Sequence, residues 1–367
     1  MSYGTRIPSL DGLRGIAALG IILFHFNLFF LPQAQLPFVG RAYLGVDLFF
    51  LLSGFVMAHV YGRLLASNWR EHWTQYGRAR FARIYPLFAV TTLTMLLMVT
   101  LSQMPLLFVS FSGRSLALQP VLLQQWASGL SWNYPSWSIS TEAESYVIFI
   151  FSARALVAGK HPRLIAVGCI SVIAALSIAR HGSLNCFVGI SALLRTLAEF
   201  SLGVLLYRAH SHSVEIRRKF AIILIIPLVG LTKLTHQDFF MVGALGCLVY
   251  CCVSATDIFG RFLNSPPLVA LGNWSYGIYL WHAPTHYAVM VAFFAFHHPV
   301  SGLGQSSSRL LLFATVVFVV GLSALHYRYV ETPLRHFIVR SRAVYTPAGS
   351  DESSSERSAG SFGLKKF

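Results

Sequence analysis

Charge is what this chain has least of: Asp, Glu, Lys and Arg together make up 11% of its 367 residues, against 55% hydrophobic and 14% aromatic. An ordinary soluble domain carries about twice that charged fraction, so the shortage excludes one. Acid is scarcer than base, 13 Asp and Glu against 28 Lys and Arg, for a formal charge of +15. Cysteine is scarce as well. Cys169, Cys186, Cys247, Cys251 and Cys252 all fall in apolar stretches, without zinc-site spacing or the setting of a secreted disulfide framework, and are expected to pack. There is no phosphate loop, HExxH pair or dinucleotide fingerprint. No charged n-region, h-region and cleavage site precede the first apolar run, so that run is expected to stay in the mature chain.

What the chain has instead is long hydrophobic runs, with a mean hydropathy of +0.61. They are expected to be membrane spans near residues 10–31, 42–61, 83–101, 137–157, 163–180, 187–207, 219–233, 239–256, 269–295 and 309–331. The basic residues alternate with these spans. With the N-terminus inside, most of them fall on the inner side, including Arg6, Arg14, Arg63, Arg78, Arg154, Arg163, Arg208, Arg261, Arg328 and Arg335. This is the positive-inside pattern, and it predicts an all-α polytopic membrane protein of about ten transmembrane helices with both termini cytoplasmic. Topology signalling accounts for the positive charge without nucleic acid. Residues 1–340 form the expected transmembrane unit, and the Ser/Gly-rich stretch 341–367 is expected to be a disordered cytoplasmic tail.

Charged and polar residues inside the spans single out the candidate site. In LDGLRGIAALGIILFH (10–25), Arg14 and His25 are eleven positions apart, which leaves them roughly 20° apart around a helix and about 16 Å apart along it. They share one face, with Arg14 near a membrane surface and His25 near mid-membrane, where a histidine is costly unless it faces protein or water. Arg80 and Arg83 in RARFARIYPLF lie three apart on one helix face at a cytoplasmic end, where paired guanidinium forks suit phosphate. The segment 102–136 is expected to lie along the outer surface and re-enter. In SWSISTEAESYVIF, Glu142 and Glu144 diverge by about 200°; at least one should face the interior, and Glu142 is favoured. Arg195 and Glu199 read as an i,i+4 internal ion pair. His282 lies at about the depth of His25 and competes with it for a catalytic role, or satisfies backbone groups freed by Pro284.

Five of these stretches, LDGLRGIAALGIILFH, LGVDLFFLLSGFVM, RFARIYPLF, PSWSISTEAESY and LGNWSYGIYLWHAP, occur in this order over nearly all of residues 5–335. Together they resemble the successive signatures of the membrane-bound acyltransferase-3 family. The resemblance implies a ten-helix membrane enzyme that takes an acyl group, usually acetyl, from cytosolic acyl-CoA and O-acylates a carbohydrate or other hydroxylated acceptor. It implies that Arg14 and His25 match the family's Arg-x10-His, that Arg80 and Arg83 match its Arg-x-x-Arg, and that Glu142 matches its glutamate. On this reading His25, Arg14 and Glu142 are catalytic and Arg80, Arg83 and Arg14 bind the donor. His282, Asp11 and Tyr279, which lie in the same signatures, are secondary candidates, and no metal is expected.

The expected partners are acyl-CoA, a glycan or lipid-linked sugar and the lipid bilayer, in the cell membrane, with the bacterial inner membrane favoured. Cell-surface polysaccharide or lipopolysaccharide sugar is the first choice of acceptor, and a secreted small molecule such as a macrolide the second. His25 acts either as general base on the acceptor hydroxyl or as a transient acyl carrier. The competing class is a transporter or flippase, since intramembrane charges also line substrate paths. It predicts paired broken helices in two related halves, and the halves of this sequence show no similarity.

Overall fold

A computed structural model describes residues 6–31, 39–104, 113–127, 131–211, 215–253, 257–296 and 302–340, with backbone only for 215–220, 339 and 340. Every regular element among them is helical. The helices are α1 (Pro8–Phe30), α2 (Gly45–Met57), α3 (Arg63–Ser102), α4 (Gly113–Leu118), α5 (Trp137–Ala153), α6 (Pro162–Ala179) and α7 (Gly189–Ser211). They continue with α8 (Glu215–Thr235), α9 (Asp238–Val253), α10 (Ile258–Leu263), α11 (Pro266–Ala295), α12 (Gln305–His326) and α13 (Thr332–Arg340). The tail expected at 341–367 lies outside the described residues.

Five helical stretches are long and apolar enough to cross a membrane: Pro8–Phe30, Ala42–Ser102, Pro162–Ala179, Gly189–Ser211 and Gln305–Ile338. Ala221–Thr235 and Asp238–Val253 are apolar but shorter. Helix α11 has the length, at 30 residues, yet buried Ser275, His282, Thr285 and His286 dilute its apolar character. Those four side chains face protein, the only affordable direction for them in a bilayer.

Two close helix crossings set the frame. A Cβ on Gly12 would sit 2.1 Å from Leu263 O, and one on Gly272 2.0 Å from Asp11 O, so α1 packs backbone to backbone against α10 and α11. On the other side, a Cβ on Gly54 would lie 1.9 Å from Phe200 O and one on Gly203 2.1 Å from Leu51 O, which joins α2 to α7 in the same way. Small residues allow this approach, and in lipid close packing replaces the missing hydrophobic driving force.

The structure departs from the sequence expectation between spans two and three. Instead of a cytoplasmic connection up to residue 83, the chain is helical from Arg63 to Ser102, with one break at Asn68 (φ −151°, ψ 88°). The amphipathic start of α3 is held by aromatic edges: Trp69 meets Phe151 at 4.9 Å, and Tyr76 meets Phe149 at 6.3 Å. In the segment after α3, several of the described polar residues are buried. Gln119, Gln124, Gln125, Ser131 and Asn133 are each no more than 3% exposed, and Gln124 Nε2 donates to Ser136 O at 2.8 Å.

Candidate active site

Helices α1, α2, α3, α5 and α11 enclose a cleft with about 750 Å³ of space not filled by atoms, its open mouth included. Arg14, Arg80 and Arg83 line it together, so the two arginine motifs, separate in sequence, meet in space. Arg80 lies over the rings of Tyr61 and Tyr146, 5.3 and 5.8 Å from their centroids, and its buried Nε has no hydrogen-bond partner. Arg83 is ion-paired with the buried Glu331 and lies 5.4 Å from the centroid of Tyr276. Among the described residues no carboxylate pairs with Arg14. Three cations at one cleft, one of them with an unused donor, make an anion-binding surface.

Glu142 also lines the cleft. Its Oε1 accepts from Ser53 Oγ at 2.6 Å and from the Tyr146 hydroxyl, one helical turn on, at 2.7 Å. Glu144 points elsewhere and accepts from Gln125 Nε2 and Trp126 Nε1, both at 3.1 Å. The 200° divergence of the two glutamates is thus resolved with Glu142 inward. Ser53 and Tyr146 escaped sequence reasoning; their signals are a hydroxyl inside the apolar LLSGFVM run and a tyrosine at i+4 from an intramembrane glutamate.

His25 is not part of the cleft lining. It reaches the cleft wall through His282, whose ring is 5.8 Å from that of Tyr279, a residue that lines the cleft. The Tyr279 hydroxyl donates to Pro135 O at 2.8 Å and is also 2.8 Å from Ser138 Oγ. The rings of His25 and His282 are 4.9 Å apart, and Tyr134 is 5.3 Å from each. His25 Nδ1 bonds Ile21 O at 2.9 Å. A carbonyl only accepts, so Nδ1 carries the proton and Nε2 keeps its lone pair. His282 Nδ1 likewise bonds Tyr279 O at 2.5 Å. It does not fill the gap left by Pro284: the carbonyl that proline orphans is Leu280 O, and Asn133 Nδ2 donates to it at 3.2 Å. Asp11 faces away from the cleft, paired with Arg6 at 2.6 Å.

Arg195 has a different principal partner from the one its spacing suggests. Its Nε and Nη2 bond the two Asp47 oxygens at 3.0 and 2.5 Å, a two-pronged fork, while Glu199 Oε1 is farther, at 3.7 Å from Nε. Contact across 148 positions outbids the local i,i+4 neighbour because the fork uses both carboxylate oxygens. Among the described residues, no group of three or more His, Cys, Asp or Glu side chains is arranged to hold a metal ion.

An all-helical bundle with membrane-length apolar helices, an arginine-lined cleft and an internal histidine pair is the architecture of a multi-pass membrane protein. The chain belongs to the acyltransferase-3 family, whose model, described as an acyltransferase domain, matches residues 7–328. It is similar to the O-acetyltransferase OatA of Staphylococcus aureus, 25% identical over 375 residues that cover 91% of this chain and 58% of the relative. It is also similar to YrhL of Bacillus subtilis, carried as a candidate peptidoglycan O-acetyltransferase, 24% identical over 373 residues, 90% of this chain and 55% of the relative. Protein 2 in the picA locus of Rhizobium radiobacter is 45% identical over 85 residues, 23% of this chain and 41% of the relative. The chain thus spans a little over half the length of OatA and YrhL. No solved structure matches it.

Proposed function

We propose that this protein is an integral membrane O-acyltransferase that moves an acetyl group from cytosolic acyl-CoA to a hydroxyl of a cell-wall or other surface glycan. The observation that carries the reading is the cleft itself: three arginines converge in it, and Tyr279, which lines it, has its ring 5.8 Å from that of His282 in the histidine pair. Arg14, Arg80 and Arg83 would bind the donor's phosphates, and the orphaned Arg80 Nε fits that demand for an anion. The thioester end then extends toward His25. Glu142, gripped by Ser53 and Tyr146, shapes the passage and fixes the two hydroxyls that point into it.

In direct transfer the acceptor oxygen bonds to the acyl carbon as its proton passes to His25 Nε2; the C–S bond breaks, and the leaving thiolate takes that proton. In a relay, His25 Nε2 bonds to the acyl carbon as the C–S bond breaks and the thiolate leaves; the acceptor oxygen then bonds to that carbon as the C–N bond breaks, and its proton ends on the thiolate. The names of OatA and YrhL, which say O-acetyltransferase and, for YrhL, peptidoglycan, support an acetyl donor and a wall-glycan acceptor. The reading includes ten crossings of the cell membrane, both termini cytoplasmic, residues 1–340 as the transmembrane unit and 341–367 as its tail.

Lysine substitution at Arg80 and Arg83 tests the donor assignment. Arg80→Lys is expected to weaken acyl-CoA binding about tenfold, roughly 1.4 kcal/mol, since an ammonium keeps the charge but not the fork. Arg83→Lys should weaken it less, because one edge of Arg83 is already spent on Glu331. Calorimetric titration of the purified variants with acetyl-CoA measures both, and unchanged affinity in the two would reduce these arginines to topology signals.

A further inference from the structure

Around His25, beyond the cleft wall, several buried polar atoms have nothing to bond. His282 is 0% exposed and His286 2%. Unpartnered there are His282 Nε2, both ring nitrogens of His286, the Tyr134 hydroxyl and Asn133 Oδ1. Each such atom costs about 1–3 kcal/mol if left unsatisfied, and five gathered in one place are not the pattern of a finished core. The group is compact: Tyr134 is 5.3 Å from His25 and from His282 and 6.4 Å from His286, ring to ring. Asn133 is next to Tyr134 in the chain and is tied to Leu280, two residues before His282.

Fixed neighbours decide what each atom offers. Leu280 O only accepts, so Asn133 presents Nδ2 to it and keeps Oδ1 as a spare acceptor. Tyr279 O only accepts, so His282 keeps Nε2 as a spare acceptor. A neutral His286 brings one donor and one acceptor, and the Tyr134 hydroxyl can be either. An anion would meet too many acceptors in this set, and the described residues supply no metal cluster. A hydroxyl, which donates and accepts at one oxygen, matches it, and several neighbouring hydroxyls match it best.

We propose that Asn133, Tyr134, His282 and His286 form the subsite that holds the hydroxyl groups of the acceptor beside His25. This rests on the acyl-transfer reading above. His25 lies about 16 Å along α1 from Arg14, so donor phosphates and acceptor hydroxyls have separate ends of the site and meet at His25.

The test is binding, which needs no turnover. The purified full chain is titrated by intrinsic tryptophan fluorescence with a β-1,4-linked N-acetylglucosamine tetrasaccharide and with its permethylated form, which has no donors left. Wild type should bind the free sugar at least tenfold more tightly than the permethylated one. His286→Phe keeps the ring stacked on Phe29, now 3.9 Å away, but removes both nitrogens; Asn133→Ser removes Oδ1 together with the Nδ2 that serves Leu280 O. Each should weaken the sugar at least tenfold and leave the acetyl-CoA Kd within twofold. Equal affinity of wild type for the two sugars, or an unchanged sugar Kd in either folded variant, overturns the subsite. Should His286→Phe fail to fold, Asn133→Ser and the two-sugar comparison decide. Absence of acetyl-CoA binding by wild type would count against the donor cleft, and the sugar titration would still decide the subsite.

Discussion

His25→Ala is expected to lower acyl transfer by two to four orders of magnitude, the usual contribution of a positioned acid–base group, while leaving membrane insertion and yield near wild type. The small structural cost follows from the setting. His25 sits near the end of a continuous α1, is only partly buried, and has one backbone bond, to a carbonyl of its own helix. What is lost is the Nε2 lone pair that this bond makes available. Measured as acetyl transferred per mole of inserted protein, activity above about a tenth of wild type would move the reacting base to His282, whose tautomer is fixed in the same way.

The second large effect concerns folding. Asp47 is 0% exposed and Arg195 1%, and their fork ties α2, which carries Ser53, to α7. Arg195→Met strands Asp47 in an apolar interior beside Glu199, whose two oxygens have no hydrogen-bond partner. Breaking one side of such a buried pair costs about 3–5 kcal/mol, on the order of 10 °C in melting temperature. Asp47→Leu should do similar damage, and the double variant Asp47→Leu/Arg195→Met should recover part of the loss, since the Asp47 carboxylate is then gone and only Glu199, the more distant partner at 3.7 Å, is left without the guanidinium. Thermal unfolding in detergent compares the three. A double variant that melts no higher than Arg195→Met would mean that the side-chain volumes, not the charges, hold α2 to α7.

Local pattern carried the sequence reading where neighbours on one helix decide the outcome. The divergence of Glu142 from Glu144 is legible from helical geometry, and the apolar periodicity of α1, α6 and α7 marks their extents to within a few residues. Partnerships across the bundle were not legible. Asp47 looks like an isolated acid in an apolar run until α7 brings Arg195 to it from 148 positions away. The helical stretch 63–83 reads as a polar connection because its apolar face, with Trp69 and Tyr76, is narrow and interrupted by charge. Tyr134 and His286 gave no signal, because their meaning arises only when the turn before α5 docks on the proline-interrupted middle of α11. Arg83 shows the limit of motif matching as well: its partner Glu331 lies 248 positions on and leaves Arg80 as the freer cation.

Sidedness tests the central claim most directly, that donor and acceptor meet at His25 from opposite ends of the site. Acyl-CoA carries several negative charges and does not cross an apolar core unaided. Sealed right-side-out vesicles should therefore acetylate an externally supplied glycan only when acetyl-CoA is enclosed in the lumen, and acetyl-CoA added outside should be inert. Equal transfer with acetyl-CoA supplied only outside intact vesicles would contradict the assignment of Arg14, Arg80 and Arg83 to a cytoplasmic donor entrance.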